Sequence, residues 1–286
     1  MAHSSAASRA TLQCVSSSKL LIGLPEGTPQ ITYTNMKMLK NVIDAQARRC
    51  YRDDSQSPFL IVTSIPPSFP KEFEPDTNRR FTANLQEKIL VVETTAKPSH
   101  ALMAYELMQP IQRQIDGMGL HNELHGVHPF KVESTTGNWV KEGDGGFMRI
   151  DNLDWPIAAI EIGLSETESK LAIDAQGWLE AEGSRTEAVI TAKLDRQTPR
   201  ITVKRWQHYI PPFRPRTRHY NPIGSVMETV IVTHELGVTR VSNCLTIPFE
   251  KIFGRAKRGP NERDIVLSKD DLAEICELAW RAQGFI

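Results

Sequence analysis

Residues 156–164 (PIAAIEIGL) are apolar or small at every position but one. A strand of this kind has no polar face to offer water, so it belongs inside a sheet covered on both sides. Its single charged residue, Glu161, stands between Ile160 and Ile162, and its neighbours of like facing, Ala159 and Gly163, are small. A buried carboxylate carries a desolvation cost unless it is paired, hydrogen-bonded or bound to a cation. Whatever fold this chain adopts must cover that strand and satisfy that acid.

The flanking sequence supplies the cover. Immediately after the strand, Ser165 as N-cap and Glu168 form a capping box for a helix with Leu171, Ala175, Trp178 and Leu179 on one face and Gly183 as its stop. Before it, a helix follows Lys97, with Ser99 as N-cap, Pro110 as a kink or break, and Gly117 or Gly119 at its end. Strands are expected at 59–65, 88–94, 127–133, 146–150, 188–194, 201–206 and 228–234, and helices within 31–50 and at 270–283. Pro66-Pro67 ends the first of those strands, and the Pro- and charge-rich stretch 68–80 and the four-proline stretch 207–222 read as loops. The order helix, strand, strand, strand, helix, strand is that of an α/β protein.

Bulk properties narrow the class. Lys plus Arg and Asp plus Glu each number 34, so no global charge excess marks nucleic acid or membrane as the partner. The four cysteines have no C-x-x-C pair and fit reduced thiols better than a zinc knuckle or disulfide framework. No apolar run approaches the ~20 residues of a membrane span, and neither a dinucleotide fingerprint nor a phosphate loop is present. The expectation is an intracellular protein, cytoplasmic or nuclear, with no membrane partner. Residues 1–28, rich in Ser and Ala with Arg9 and Lys19, read as a disordered tail, although an organelle transit peptide, hence a mitochondrial location, shares that composition. Residues 29–286 are expected to form one domain. A homodimer is compatible with the sequence but not specified by it.

Seventeen positions before Glu161, Asp144 sits in KEGDGGF, where glycines permit an unusual turn or a close backbone approach to a ligand. Two hard-oxygen acids suit Mg²⁺ (or Mn²⁺), held by one or two carboxylates with water and phosphate oxygens. The matching chemistry is metal-assisted phosphodiester hydrolysis. An ordinary salt bridge for Glu161 and a plain turn for Asp144 satisfy the same pattern.

Taken together, KEGDGGF, WPIAAIEIGLSETESKLAIDAQGWL and EAVITAKLD resemble the core of the PD-(D/E)XK nuclease-like proteins common in fungal genomes. In those proteins a Lys-x-Pro-Asp motif precedes a P-x-x-x-x-E-x-G-x-S-E-S strand and an L-x-x-D-A-x-x-W-L helix. The likeness covers residues 90–206, and LTIPFEKIFGR with ERDIVLSKDDLAEICELAW is similar to the ends of those proteins. It implies a restriction-endonuclease-like core, a central mixed sheet flanked by helices, with an N-terminal helical appendage and a C-terminal extension. By the same resemblance Asp144 and Glu161 are the metal-binding acids, and Glu106 on the preceding helix is the candidate for an extra one.

Two departures stand out. Gly143 takes the place of the motif proline, and Gly163 that of the E-x-K lysine, which orients or deprotonates the attacking water and offsets charge. Lys170, Gln176 and Lys193 are the nearest replacements, Lys170 being equally readable as a solvated helix residue. Nucleic acid is the expected partner. Its surface is sought between Lys193 and His219, where Arg200, Lys204, Arg205, Arg214, Arg216 and Arg218 are interleaved with Trp206, Tyr209 and Phe213. A second basic cluster lies at Arg255, Lys257 and Arg258, and the histidines of HNELHGVH (His121, His125, His128) do not form a convincing metal motif. The sequence thus points to a metal-dependent nuclease-like protein. Gly163 leaves open the alternative of a catalytically inactive nuclease fold acting as a nucleic-acid-binding or protein-interaction module.

Overall fold

The computed structural model describes residues 18–53, 55–73, 79–94, 98–164, 166–209 and 223–286. The strands are β1 (Gln30–Thr32), β2 (Phe59–Thr63), β3 (Arg80–Asn84), β4 (Ile89–Glu93), β5 (Leu124–Val127), β6 (Phe130–Glu133), β7 (Val140–Gly143), β8 (Gly145–Arg149), β9 (Ala158–Gly163), β10 (Ala188–Leu194), β11 (Arg200–Tyr209), β12 (Ile223–Glu235), β13 (Val238–Val241), β14 (Leu245–Ile247) and β15 (Ile265–Leu267). The helices are α1 (Met36–Arg52), α2 (Phe69–Glu72), α3 (Pro98–Gly117), α4 (Glu168–Glu180), α5 (Phe249–Phe253) and α6 (Lys269–Gln283). None of the described helices is long and apolar enough to cross a membrane.

The chain divides into two compact units, the first comprising Met1–Ala96, Glu133–Lys141 and Ser165–Ile173. In it the strands run β1-β2-β4-β3, and Val140 and Lys141 of β7 pair with β3. Leu39 and Ile43 of α1 pack with Leu60, Val62, Leu90 and Val92 in its core. The helix expected within 31–50 begins only at Met36, because Gln30–Thr32 pairs with β2 and Asn35 caps the Met38 N–H. Of the tail expected over 1–28, residues 1–17 lie outside the described residues. Ser18 caps a 3₁₀ turn at Lys19–Leu21, whose Leu20 is buried.

The second unit, Lys97–Val132, Glu142–Leu164 and Asp174–Ile286, holds a seven-stranded sheet of order β13-β12-β11-β10-β9-β8-β5. Only β9 and β10 pair in parallel, and the remaining neighbours are antiparallel. A parallel pair needs a crossover, here supplied by α4. Along the chain α3, β5, β8, β9, α4 and β10 reproduce the helix–strand–strand–strand–helix–strand order, with β6 and β7 inserted before β8. This is a mixed α/β fold, a mixed sheet flanked by helices. Ala158, Ile160 and Ile162 of β9 join Met103, Leu107 and Ile111 of α3 and Leu272, Cys276 and Ala279 of α6 in one buried core.

Several local expectations change. The described cap of α4 is Thr167, whose Oγ1 accepts from Lys170 N–H at 3.1 Å, while Ser165 lies outside the described residues. Pro98 starts α3, so Ser99 falls inside its first turn, and the helix carries Pro110 without breaking. The strand expected at 127–133 is two, parted at His128-Pro129. Within the predicted loop 207–222, residues 207–209 continue β11, whereas 210–222 lie outside the described residues.

Candidate functional site

The β8–β9 register brings the two predicted acids together. Gly145 pairs with Ile160 and Gly146 with Ala159, so Asp144 and Glu161 each lie one residue past the last paired position, at the same end of the two strands. Asp144 bends the chain there, and its side chain takes over the bond: Oδ2 accepts from Ile162 N–H at 2.9 Å. Alternation along β9 turns Ile160 and Ile162 into the α3–α6 core and Glu161 to the opposite face. There Trp178 of α4 donates its indole Nε1–H to Glu161 Oε1 at 2.6 Å. Both acids are only 3% exposed.

The helix α3 contributes a histidine where an acid was expected. His100 Nε2 lies 3.1 Å from Asp144 Oδ2 and 2.7 Å from the Ile162 carbonyl, and the side chain is buried. Both neighbours are acceptors, so Nε2 carries the hydrogen. Glu106, six residues on and about 240° around the helix, is half-buried and makes no hydrogen bond or ion pair among the described residues. His128 Nδ1 bonds the Asp144 backbone carbonyl. His121 and His125 are exposed.

The glycines around Asp144 admit the protein's own side chains and backbone. A Cβ on Gly143 would meet Phe130 Cζ at 2.8 Å and Trp178 Cζ2 at 2.9 Å, one on Gly145 would meet Met108 Sδ at 2.7 Å, and one on Gly146 the Ala158 carbonyl at 2.6 Å. Phe130 and Trp155 flank Trp178 at centroid distances of 5.3 and 6.3 Å, which fixes the indole that reaches Glu161. Position 143 thus has no room for a larger residue, because two aromatic rings fill the space it would need.

The replacements for the missing lysine separate clearly. Lys193 on β10 is the register partner of Gly163, as Thr191 is of Glu161, so Lys193 shares the face that carries Glu161. Its Nζ donates to the Leu164 carbonyl at 2.9 Å. Gln176 packs beside Gly224 of β12, about 200° around α4 from Trp178. Lys170 belongs to the first unit and is buried, so it is not a solvated helix residue. Among the described residues no group of three or more His, Cys, Asp or Glu is placed to hold a metal.

The basic run is partly internal. Trp206 is buried and donates to Thr191 Oγ1 at 2.9 Å, so its ring does not present an open face to a base. Arg205 pairs with Glu228 at 3.4 Å, with little of its side chain exposed. Arg200 is exposed, Lys204 half-buried, Tyr209 exposed, and Phe213, Arg214, Arg216 and Arg218 lie outside the described residues. Two of the three residues of the second cluster are likewise committed: Arg255 binds Glu123 and Glu262, and Lys257 binds Asp264, while Arg258 is exposed.

No protein-family model matches the chain, and no curated protein matches it. Among solved structures it is similar to a protein from Anabaena variabilis ATCC 29413 described as a "putative nuclease belonging to DUF820". The two share 10% sequence identity, with a TM-score of 0.44 over 74% of this chain and 99% of that one.

Proposed function

We propose that this chain is a metal-dependent nuclease-like protein of the fungal PD-(D/E)XK type, hydrolysing phosphodiester bonds of DNA or RNA. One observation supports the reading: two buried acids, Asp144 just before β8 and Glu161 in β9, each lie one residue past the last β8–β9 pair, at the same end of it. A carboxylate offers about four lone-pair sites, so two N–H donors on Asp144 Oδ2 and one on Glu161 Oε1 are compatible with a cation shared between them. Such a pair fits Mg²⁺ or Mn²⁺, whose other ligands are commonly water and phosphate oxygens. When bound, the ion supplies Lewis-acid stabilisation of charge on the phosphoryl group.

The chain's own groups do the positioning. Ile162 N–H and His100 Nε2–H fix Asp144, and Trp178 Nε1–H fixes Glu161. Lys193, across from Gly163, is the amine that offsets developing negative charge. Arg200 and Lys204 are the described residues of the phosphate-gripping surface.

A second reading, a silent nuclease fold that binds nucleic acid or protein, is favoured by the same hydrogen bonds, since both acids are already satisfied by protein donors. The two are separated with plasmid, single-stranded DNA and RNA in Mg²⁺ or Mn²⁺. Cleavage that Asp144→Ala, Glu161→Ala abolishes and Lys193→Met reduces at least about tenfold supports hydrolysis. Salt-sensitive binding without cleavage supports the silent module.

A further inference from the structure

The helix α1 of the first unit carries five basic residues, Lys37, Lys40, Arg48, Arg49 and Arg52, and one acid, Asp44. The five are exposed, and their side chains make no hydrogen bond or ion pair among the described residues. Asp44 accepts from Arg79 Nη2 at 2.6 Å, so that pair adds no net charge to the helix. Asp53 and Asp54 follow in sequence and offset Arg49 and Arg52 of the last turn. The charge left open is that of Lys37, Lys40 and Arg48.

These three share one side of α1. At about 100° per residue, Lys37 and Arg48 stand about 20° apart around the axis and Lys40 about 60° from Lys37, and the three span about 16 Å along it. Asn41, exposed on the same side, adds an amide donor. Lys37 lies in the first turn, which contains no acid. The helix dipole disfavours a cation at that end and favours an anion, so an anion held there meets both the ammonium groups and the dipole.

The opposite side of the helix is already used. Leu39 and Ile43 are buried in the core of the first unit. The large apolar residues that α1 leaves exposed, Met38 and Tyr51, are about 140° apart around the axis and form no stripe. A helix that lies on a bilayer needs a continuous apolar face, and α1 has none to spare.

We propose that the outward face of α1 is a docking surface for the phosphate backbone of duplex nucleic acid, gripped by Lys37, Lys40 and Arg48. A duplex carries one charge per about 1.7 Å of its axis, so it offers phosphates along the whole length of such a row. Cations without a planar recognition partner in a groove bind the backbone and not the base sequence. The surface uses neither Asp144 and Glu161 nor Arg200 and Lys204, so it stands whether or not the chain cleaves nucleic acid.

The test is fluorescence anisotropy of a labelled DNA duplex of about two helical turns with the full chain, in EDTA, at about 50–200 mM KCl. In the triple variant Lys37→Gln, Lys40→Gln, Arg48→Gln, binding at the lowest salt is expected to weaken at least about tenfold, and the slope of log affinity against log salt to become shallower by about 2.7, or 0.9 per lost phosphate contact. Its melting temperature should equal or exceed the parent's, since glutamine suits a helix and a cation leaves the dipole's positive end. No binding by the parent, or an unchanged slope in the variant, would overturn the proposal. A loss confined to Arg200→Gln, Lys204→Gln would overturn it while leaving the surface on β11 in place. So would parent binding to phosphatidylserine vesicles that outcompetes the duplex and is lost in the triple variant.

Discussion

His100 and Asp144, 44 residues apart in sequence, meet through His100 Nε2 at 3.1 Å, and the same nitrogen reaches the Ile162 carbonyl. One buried ring thereby joins α3, the bend before β8, and β9. Removing it leaves a buried carboxylate with fewer donors and a strand carbonyl short of one. His100→Ala is expected to lower stability by about 1–3 kcal/mol, seen as a reduced urea midpoint at unchanged slope. His100→Gln, which can still present an N–H donor, should recover part of the loss. Equal midpoints for the alanine variant and the parent would show that the ring carries no load.

Trp178 and Glu161 form the second joint, at 2.6 Å. Trp178→Phe keeps most of the aromatic packing against Phe130 and Trp155 but deletes the N–H. A loss of about 1–3 kcal/mol is expected. A double-mutant cycle with Glu161→Leu should give a coupling of about 0.5–3 kcal/mol. A coupling near zero would mean that Glu161 draws its stabilisation from other groups.

The sequence announces β9 far more clearly than it announces what surrounds Glu161. A strand covered on both faces reads as an unbroken apolar run, and α6 shows its cap residues openly, with Ser268 and Asp271 in a capping box. Short strands such as β7 and β13 were not anticipated, because four residues are too few for alternation to stand out. The partners of the acids are invisible for another reason: His100 and Trp178 reach them only after chain reversals of 44 and 17 residues, and no spacing rule connects such positions. Counting charges in β11 likewise hid its alternation, which turns Trp206 onto Thr191 and leaves Arg205 beside Glu228.

The crowding around Gly143 leaves no trace in the sequence, since Phe130 and Trp178 lie 13 and 35 residues away. Phe130 and Trp178 stand 2.8 and 2.9 Å from where a Cβ would be, so Gly143→Ala should cost about 1–3 kcal/mol through overpacking. Shortening one ring, in Gly143→Ala with Phe130→Leu, should return part of that cost, because Trp178 still crowds the site. If the double variant is no more stable than the sum of the two single losses predicts, the steric explanation is wrong.

Arg255 and Glu262 provide a prediction in pH. The guanidinium bonds Glu123 and Glu262 at 2.7 Å each and lies over the Phe249 and Phe253 rings. Hydrogen bonds from Arg255, then from the Arg258 backbone, pull the Glu262 carboxyl from 4.5 down to about 2, and the Arg255 fork lowers Glu123 too. The unfolded chain therefore takes up protons that the native state refuses until lower pH. This contribution is complete above about pH 4.5, declines as the pH falls, and is lost near pH 2. In Arg255→Ala the larger part of it is removed and the backbone hydrogen bond from Arg258 remains, so the gap in melting temperature between parent and variant should be widest above pH 4.5 and narrow steadily on acidification. Lys at 255 keeps the charge but not the fork, and should fall between them. Thermal unfolding followed by circular dichroism at fixed ionic strength, from pH 2 to 6, reads this directly, and curves that stay parallel across that window would refute the assignment.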